Sequence, residues 1–307
     1  MEKNWDVIII GGGPAGLAAA IYCGRALRKT LVLEKKVFGG QIVNADIIEN
    51  YPGFAEPIIP ADLMDQMSRQ SERYGVILEN DEVSALQREG DAWQVAVYQN
   101  TYLAKAIIYA AGSLIRFLGV KGEKELLGRG VSVCATCDAP FFVQKKVAVL
   151  GGGDTALSEA LHLSKFASVV YLVHRRDQFR AEKILQDRVF RNDKIKIIWD
   201  AEVVGFKGEQ RLEALEIRNK KSQAVETVVF DGAFLAIGTI PNTGLLKDLI
   251  KLDDNGYVET DISLRTEAKG LFVAGEVIKG NRRQVAISVG MGVQASLTCE
   301  EYLASMD

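Results

Sequence analysis

Cys134-Ala135-Thr136-Cys137-Asp138 combines two thiols at Cys-x-x-Cys spacing with an adjoining carboxylate. Thiols so spaced close a small disulfide, and the closed and open forms differ by two electrons, so the pair can accept or deliver a hydride equivalent. The same spacing is half of a zinc site, but structural zinc takes four ligands. The other cysteines, Cys23 and Cys299, are isolated, and neither His162 nor His174 stands at ligand spacing from the pair. Redox relay, with no metal, is therefore the expected chemistry.

A redox pair needs an electron source, and two glycine-rich turns supply candidates. Trp5 to Ile10 is a short, β-branched apolar run, the pattern of a strand buried on both faces. It enters Gly11-Gly12-Gly13-Pro14-Ala15-Gly16 and then an alanine-rich helix. Gly11, Gly13 and Gly16 fill Gly-x-Gly-x-x-Gly: a tight turn, close approach of backbone to a pyrophosphate, and close packing of helix on strand. A second strand, Thr30 to Leu33, ends at Glu34, where a carboxylate can accept from a ribose 2′-hydroxyl and repel a 2′-phosphate. The first nucleotide is thus FAD or NAD rather than NADP.

The theme repeats after the cysteines. Val147 to Leu150 reads as a buried strand, Gly151, Gly153 and Ala156 take the fingerprint places, and a helix runs through Leu157 to Phe166. The next strand, Val169 to Val173, ends at His174-Arg175-Arg176, with Arg180 and Lys183 beyond. His174 follows Ala156 at the offset that separates Glu34 from Gly16, so a basic cluster replaces the acid. Such a cluster suits a 2′-phosphate, and the second nucleotide is expected to be NADPH. Nicotinamides transfer hydride whereas thiols exchange by thiolate attack, and a flavin can mediate between them, so the first site is better read as FAD.

Around these units the sequence predicts further buried strands at Ile107 to Gly112, Ala233 to Gly238 and Leu271 to Glu276, a surface helix from Pro60 to Tyr74, and a helix from about Val285 to Met306. Loops at Phe38-Gly39-Gly40-Gln41 and Glu49-Asn50-Tyr51-Pro52-Gly53 read as turns. The 307 residues, 48% hydrophobic and 25% charged, suffice for two domains with cores of their own. A formal net charge of -3 without long runs of one sign carries no nucleic-acid signature. No signal-peptide pattern or membrane-length apolar stretch stands out, so a cytoplasmic protein is expected, a setting where Cys-x-x-Cys is more often catalytic than structural. Cys23 and Cys299 are expected to be buried packing residues.

Over nearly its whole length the chain resembles the low-molecular-weight thioredoxin reductases. The motifs are Gly11 to Gly16, Gly39-Gly40-Gln41, Glu49 to Gly53, Gly128-Arg129-Gly130-Val131-Ser132 leading into Cys134 to Asp138, Gly151 to Ala156, His174-Arg175-Arg176 with Phe179 to Glu182, and Gly275-Glu276 with Arg283-Gln284. The resemblance implies an α/β fold of two Rossmann-like domains, an NADPH domain (115–243) inserted into a split FAD domain (1–114 and 244–307). It also implies a homodimer and oxidised thioredoxin as the protein substrate. On the FAD side it points to Gly11, Gly13, Pro14, Ala15, Gly16, Glu34, Gly40, Gln41, Asn50, Ala111, Gly112, Gly275, Glu276, Arg283, Gln284 and Val285. On the NADPH side it points to Gly151, Gly153, Asp154, Thr155, Ala156, His174, Arg175, Arg176, Arg180, Ile237 and Gly238. It makes Cys137 the flavin-proximal sulfur, Cys134 the sulfur that attacks the partner and Asp138 the acid/base, with Arg129, Phe141 and Phe142 where the family meets thioredoxin. The chain departs from the family at Glu276, in place of an aspartate, at Arg282, in place of an aromatic, and at Ser158, in place of a glutamate. These departures leave open a related flavoprotein disulfide reductase with another donor or partner, ferredoxin or a glutaredoxin-like protein.

Overall fold

The structure, a computed structural model, describes residues 4–45 and 47–306. Contacts divide the chain into two compact units, Met1–Leu114 with Ile240–Asp307, and Ile115–Thr239.

The first unit opens with β1 (Asn4–Ile10), α1 (Pro14–Arg25) and β2 (Thr30–Glu34), followed by α2 (Pro60–Glu72) and β3 (Ile77–Asn80). A meander of β4 (Ala85–Glu89), β5 (Ala92–Ala96) and β6 (Thr101–Tyr109) leads to the short β7 (Ser113–Ile115). The second unit contains β8 (Val131–Ser132), the one-turn helix α3 (Ala135–Asp138), β9 (Lys146–Leu150), α4 (Asp154–Leu163), β10 (Val169–Val173), α5 (Lys183–Phe190) and β11 (Ile195–Ile198). An antiparallel trio, β12 (Ala201–Lys207), β13 (Ala214–Asn219) and β14 (Val225–Val229), precedes β15 (Gly232–Leu235), and β16 (Thr239–Pro241) lies where the chain leaves this unit. Back in the first unit come β17 (Leu271–Val273) and the long helix α6 (Val285–Ala304).

β1 lies at the middle of the first sheet, parallel to β2 on one side and β6 on the other. The order is β3-β2-β1-β6-β5-β4, and β17 joins β6 at residues 107–109, beyond the part of β6 that β5 occupies. Side chains of Val7, Ile8 and Ile9 are wholly buried, as are those of Ile107 and Ile108. Residues covered on both faces need no polar alternation, which is why these strands read as continuous apolar runs. The second sheet, β11-β10-β9-β15-β8, is parallel throughout. β9 has the position in it that β1 has in the first, and its Val147, Ala148 and Val149 are equally buried.

The expected strands and helices are present with ends shifted by a few residues. β6 begins well before Ile107, and the apolar run at 271 breaks after Val273 into a short 3₁₀ turn, Gly275–Val277. The surface helix is α2, with Leu63, Met64 and Met67 on its buried side. Half or more of the residues of β4 and α5 are polar or charged, and Gly205 with a register shift at Val203/Gly205 breaks the alternation of β12, which is why periodicity alone leaves them unmarked.

Helices α1 and α6 pack closely, and small residues allow it. A Cβ added to Gly292 would stand 2.1 Å from the Ala15 carbonyl oxygen, whereas one at Gly290 would meet nothing. Gly292→Ala is therefore expected to lower stability by about 1–3 kcal/mol, as overpacking does. Gly290→Ala in the same helix should be neutral or gain up to ~1 kcal/mol. Thermal unfolding of both variants checks the pair; equal effects would mean that the α1–α6 contact is not close.

Candidate active site

Cys134 and Cys137 form a disulfide with 5.4 Å between their Cα atoms. Cys134 is the N-cap of α3, its Sγ accepting the Cys137 N–H at 3.2 Å. Upstream, the Ser132 hydroxyl accepts the Cys134 N–H at 3.1 Å. Ala135 and Ala139 anchor the turn in the core with Ala156, Leu157 and Ala160 of α4. Cys137 is exposed, while Cys134 and Asp138 are half-buried. Asp138 lines a recess of ≈ 200 Å³ with Gly128, Gly130, Val131, Ser132, Phe141 and Phe142. The two phenylalanines differ: Phe141 is 77% exposed, whereas Phe142 packs edge-on against Phe234 at 5.3 Å.

In the first glycine turn, the strain and the openness are divided between residues. Gly11 has φ +107°, and a Cβ on Gly16 would collide with the Gly11 oxygen at 1.8 Å, so strand and helix meet backbone to backbone. A Cβ on Gly13 would meet nothing nearer than 3.9 Å. That difference fits a pyrophosphate: two glycines hold the turn and the third leaves room at the start of α1, where Pro14 occupies the first helical position without wasting an N–H. Glu34 reaches back to this turn, accepting from the Gly12 N–H at 2.8 Å and the Lys36 N–H at 2.9 Å. A carboxylate has about four acceptor positions, so capacity remains for a ribose hydroxyl.

Distant segments converge on the same turn. A Cβ on Gly40 would lie 3.2 Å from Gly13 Cα, and one on Gly275 would lie 3.1 Å from Ala15 Cβ. Gln41 donates to Ser113, whose hydroxyl donates to Glu276. The longer side chain at Glu276 is thus accommodated by a hydrogen bond to the end of the first unit's chain segment. Asn50 donates to Gln284 at 3.0 Å, Gln284 caps α6, and Val285 packs in a cluster with Leu63 and Met64. Arg283 has φ +57° and donates to the Tyr257 hydroxyl; Arg282 is exposed. Past β6, Asn242 holds the small-residue segment, its N–H donating to the Gly112 oxygen at 3.0 Å.

The second turn repeats the division. Gly151 would clash with the Ala236 oxygen at 2.2 Å, whereas a Cβ on Gly153 would meet nothing within 4 Å. Ala156 is fully buried, Asp154 accepts the Glu182 N–H at 2.7 Å, and Thr155 and Ser158 are exposed. The segment after β10 folds over this turn, the Arg180 N–H donating to the Gly152 oxygen at 2.9 Å. Arg175, Arg176 and Arg180 are exposed, but His174 is not. Its ring is buried against Gly152, lies beside Phe179 and Trp199, and donates from Nε2 to the Gln178 carbonyl at 3.1 Å. Burial, and then the charges of Arg180, Arg176 and Arg175, hold its pKa below the usual histidine value. The exposed cations of this cluster are therefore the arginines and Lys183, and His174 supports the turn from beneath. Ile237 and Gly238 follow β15, Gly238 with φ +100°.

One polar residue at the redox turn escaped the sequence reading. Glu159 stands on α4 in the buried stripe Ala156, Ala160 and Leu163, at the i+3 place of an i, i+3, i+4, i+7 pattern. A carboxylate in that slot was the available signal. Cys23 and Cys299 are buried free thiols, with burial pushing the Cys23 pKa up to about 12 and raising that of Cys299.

Two units, each with parallel strands at the centre of its sheet and a glycine turn, one turn beside an acid and the other beside basic residues, with a disulfide carried by the second, define a dinucleotide-dependent disulfide oxidoreductase. The model of the pyridine nucleotide-disulphide oxidoreductase family matches residues 5–292, and the chain belongs to that family. Relatives named thioredoxin reductase come from Streptomyces coelicolor, 44% identical over 100% of this chain and 96% of the relative, and Treponema pallidum, 39% identical over 100% and 99%. A Mycobacterium leprae relative, 42% identical over 99% of this chain and 67% of its own, is named a bifunctional thioredoxin reductase/thioredoxin. Among solved structures, the Lactococcus lactis thioredoxin reductase superposes with a TM-score of 0.96 at 38% identity, covering 98% of this chain and 99% of that one. Flavin and nicotinamide cofactors are implied by this membership.

The open second glycines give a direct check. Gly153→Ala should change stability by about 1 kcal/mol or less, since its Cβ meets nothing. The same substitution should weaken binding of a reduced nicotinamide dinucleotide by about tenfold or more, through loss of close backbone approach. Unfolding and nucleotide titration of one preparation separate the two effects; unchanged affinity would move the nucleotide away from this turn.

Proposed function

We propose that the chain is an NADPH-dependent thioredoxin reductase, with FAD in the first unit, NADPH in the second and oxidised thioredoxin as substrate. The observation that carries this reading is the pairing of a disulfide turn with exposed Arg175, Arg176 and Arg180 in the unit that has the open Gly153. The family membership and the relatives' names support it. A bound flavin supplies the conversion between hydride transfer and dithiol formation that nicotinamide and thiols do not achieve directly.

In this reading Glu34 accepts from a ribose hydroxyl of FAD, and the turn at Gly11 to Gly16 cradles its pyrophosphate. Gly40, Gln41, Asn50, Ala111, Gly112, Gly275, Glu276, Arg283, Gln284 and Val285 complete that site. The turn at Gly151 to Ala156 holds the NADPH pyrophosphate, Arg175, Arg176 and Arg180 hold the 2′-phosphate, and Ile237 and Gly238 lie along the nucleotide. Cys137 receives the reducing equivalents, which break the S–S bond. Cys134 is then the attacking sulfur, because the Cys137 N–H that its Sγ accepts also stabilises a thiolate there. The Cys134 thiolate attacks the partner's disulfide, and one partner thiolate leaves. Asp138 takes the proton of the Cys137 thiol, and Cys137 attacks Cys134, restoring the disulfide and releasing the partner's second thiolate, which takes up a proton. Exposed Phe141, with Arg129, offers the partner a contact at the same recess. The proposed assembly is a homodimer, and the proposed compartment the cytoplasm; among the described residues no helix is long and apolar enough to cross a membrane.

Two measurements test this. Cys134→Ser should abolish thioredoxin reduction while NADPH still bleaches the flavin; loss of both would remove Cys134 from the role given to it. Replacing Arg175 and Arg176 by alanine should raise KM for NADPH by about tenfold or more, roughly the loss of one or two charge-assisted contacts, and leave KM for NADH within about twofold. Equal rises would show that the arginines do not read the 2′-phosphate, and failure of the native protein to accept electrons from either nicotinamide would point to ferredoxin as donor.

A further inference from the structure

Arg175, Arg176 and Arg180 stand on a loop outside the second glycine turn, and a loop keeps its shape only where it is tied down. Two ties join it to Gly152: the His174 ring packs against that glycine while bonded to the Gln178 carbonyl, and the Arg180 N–H donates to the Gly152 oxygen at 2.9 Å. Phe179 and Ala181 are buried, and Arg180 between them is exposed. Two residues past Arg180 the loop reaches the start of α4, whose backbone carbonyls are directed along the helix and serve its own N–H groups. The acceptor that the Glu182 N–H finds there is a side chain, Oδ1 of Asp154, at 2.7 Å. Asp154 is the first residue of α4 and Glu182 the N-cap of α5, so one hydrogen bond joins the glycine-turn helix to the end of the arginine loop.

The acid is otherwise out of place. In the reading above, the first turn of α4 meets a pyrophosphate, and a carboxylate there repels phosphate and competes for the same positive helix end.

We infer that Asp154 is a positioning residue for nucleotide choice: by accepting the Glu182 N–H it clasps the arginine loop to the glycine turn and fixes Arg180, with Arg175 and Arg176, where they distinguish a 2′-phosphate from a ribose hydroxyl.

The physical basis is the cost of ordering. An arginine gives up the freedom of several rotatable bonds when its guanidinium meets a phosphate. Were the backbone beneath it also ordered at that moment, binding would be weaker still, and a loop held beforehand avoids that loss. Arg180, two residues from the clasp, depends on it most directly. The effect is selective, because a nucleotide without the 2′-phosphate gains nothing from well-placed arginines, whereas contacts between pyrophosphate and glycine turn are common to both nucleotides.

The inference rests on the NADPH reading given above, and its test keeps the two apart. Dissociation constants for NADP⁺ and NAD⁺ are measured by calorimetric titration of the oxidised full-length flavoprotein, without turnover and without thioredoxin. The readout is their ratio, in which repulsion between Asp154 and the pyrophosphate cancels. Asp154→Ala removes the acceptor and should reduce the native preference for NADP⁺ by about threefold to tenfold, the effect of one hydrogen bond. Glu182→Pro removes the donor instead, at a residue whose φ of -55° already suits proline, and should reduce the preference equally. The double variant should lose no more than either single one, since both break the same bond. Asp154→Asn keeps an acceptor without the charge and should hold the preference at or above the native value.

A preference that survives Asp154→Ala, one that rises alike in the alanine and asparagine variants, or additive losses in the double variant would each overturn the inference. Equal losses of affinity for both nucleotides would do so too, since they would make the clasp merely structural. If Asp154→Ala does not fold, Glu182→Pro against the native protein decides alone. Loss of the preference on replacing Arg175 and Arg176, with its survival in Asp154→Ala, overturns this inference and leaves the NADPH reading standing. No preference in the native protein overturns both.

Discussion

Close approach of backbone to backbone at the two glycine turns is the constraint from which the rest of this molecule follows. At Gly16 no side chain fits, because the Gly11 oxygen occupies the place where Cβ would be, and Gly151 meets the Ala236 oxygen in the same manner. Each helix can then start directly over the end of its strand, with its free N–H groups gathered where an anion can reach them. The neighbouring strands are also fixed by this contact. Ala110 and Ala236, at the ends of β6 and β15, are small and lie against the first glycine of each turn. Gly292 extends the pattern to α6, which approaches α1 closely because Ala15 and Gly292 offer no bulk. Gly13 and Gly153 alone are excused from this crowding, and the start of each helix stays open beside them.

Upon this shared frame, charge distinguishes the units. In the first, Glu34 is held by two backbone amides and keeps a negative group near the turn. In the second, the corresponding place is taken by an imidazole that is buried and directed to a carbonyl, while arginines stand outside it. The buried histidine and the exposed arginines are related: three guanidinium groups near one ring favour its neutral form, and a neutral ring can pack against Gly152, Phe179 and Trp199 without a desolvation cost for charge. The ring therefore supports the loop and the arginines remain available to solvent.

The strands and helices that build the glycine turns were legible in the sequence because two signals coincide there, β-branched runs and glycines at fixed spacing. β4 and α5 were not, since their apolar residues are interrupted by charges that face solvent, nor was β12, where Gly205 and a register shift at Val203/Gly205 break the alternation. Within the site, residue type was more legible than direction. Position alone grouped His174 with Arg175 and Arg176, though a strand's end turns successive side chains to different surroundings, and only the arginines reach the surface. Phe141 and Phe142 are adjacent and chemically identical, yet Gly232 leaves a gap that Phe142 fills and Phe141 has none. Contacts such as Ser113 with Glu276 join residues 163 positions apart, and nothing local announces them.

The redox turn shows why such a short element needs a firm base. α3 is a single turn, too brief to be stable by its own hydrogen bonds. Its Ala135 and Ala139 are buried against α4, so the geometry of the sulfurs is set by a helix that belongs to the glycine-turn frame. A leucine in place of Glu159 would continue the apolar stripe and favour packing, so a buried carboxyl there runs against the local trend.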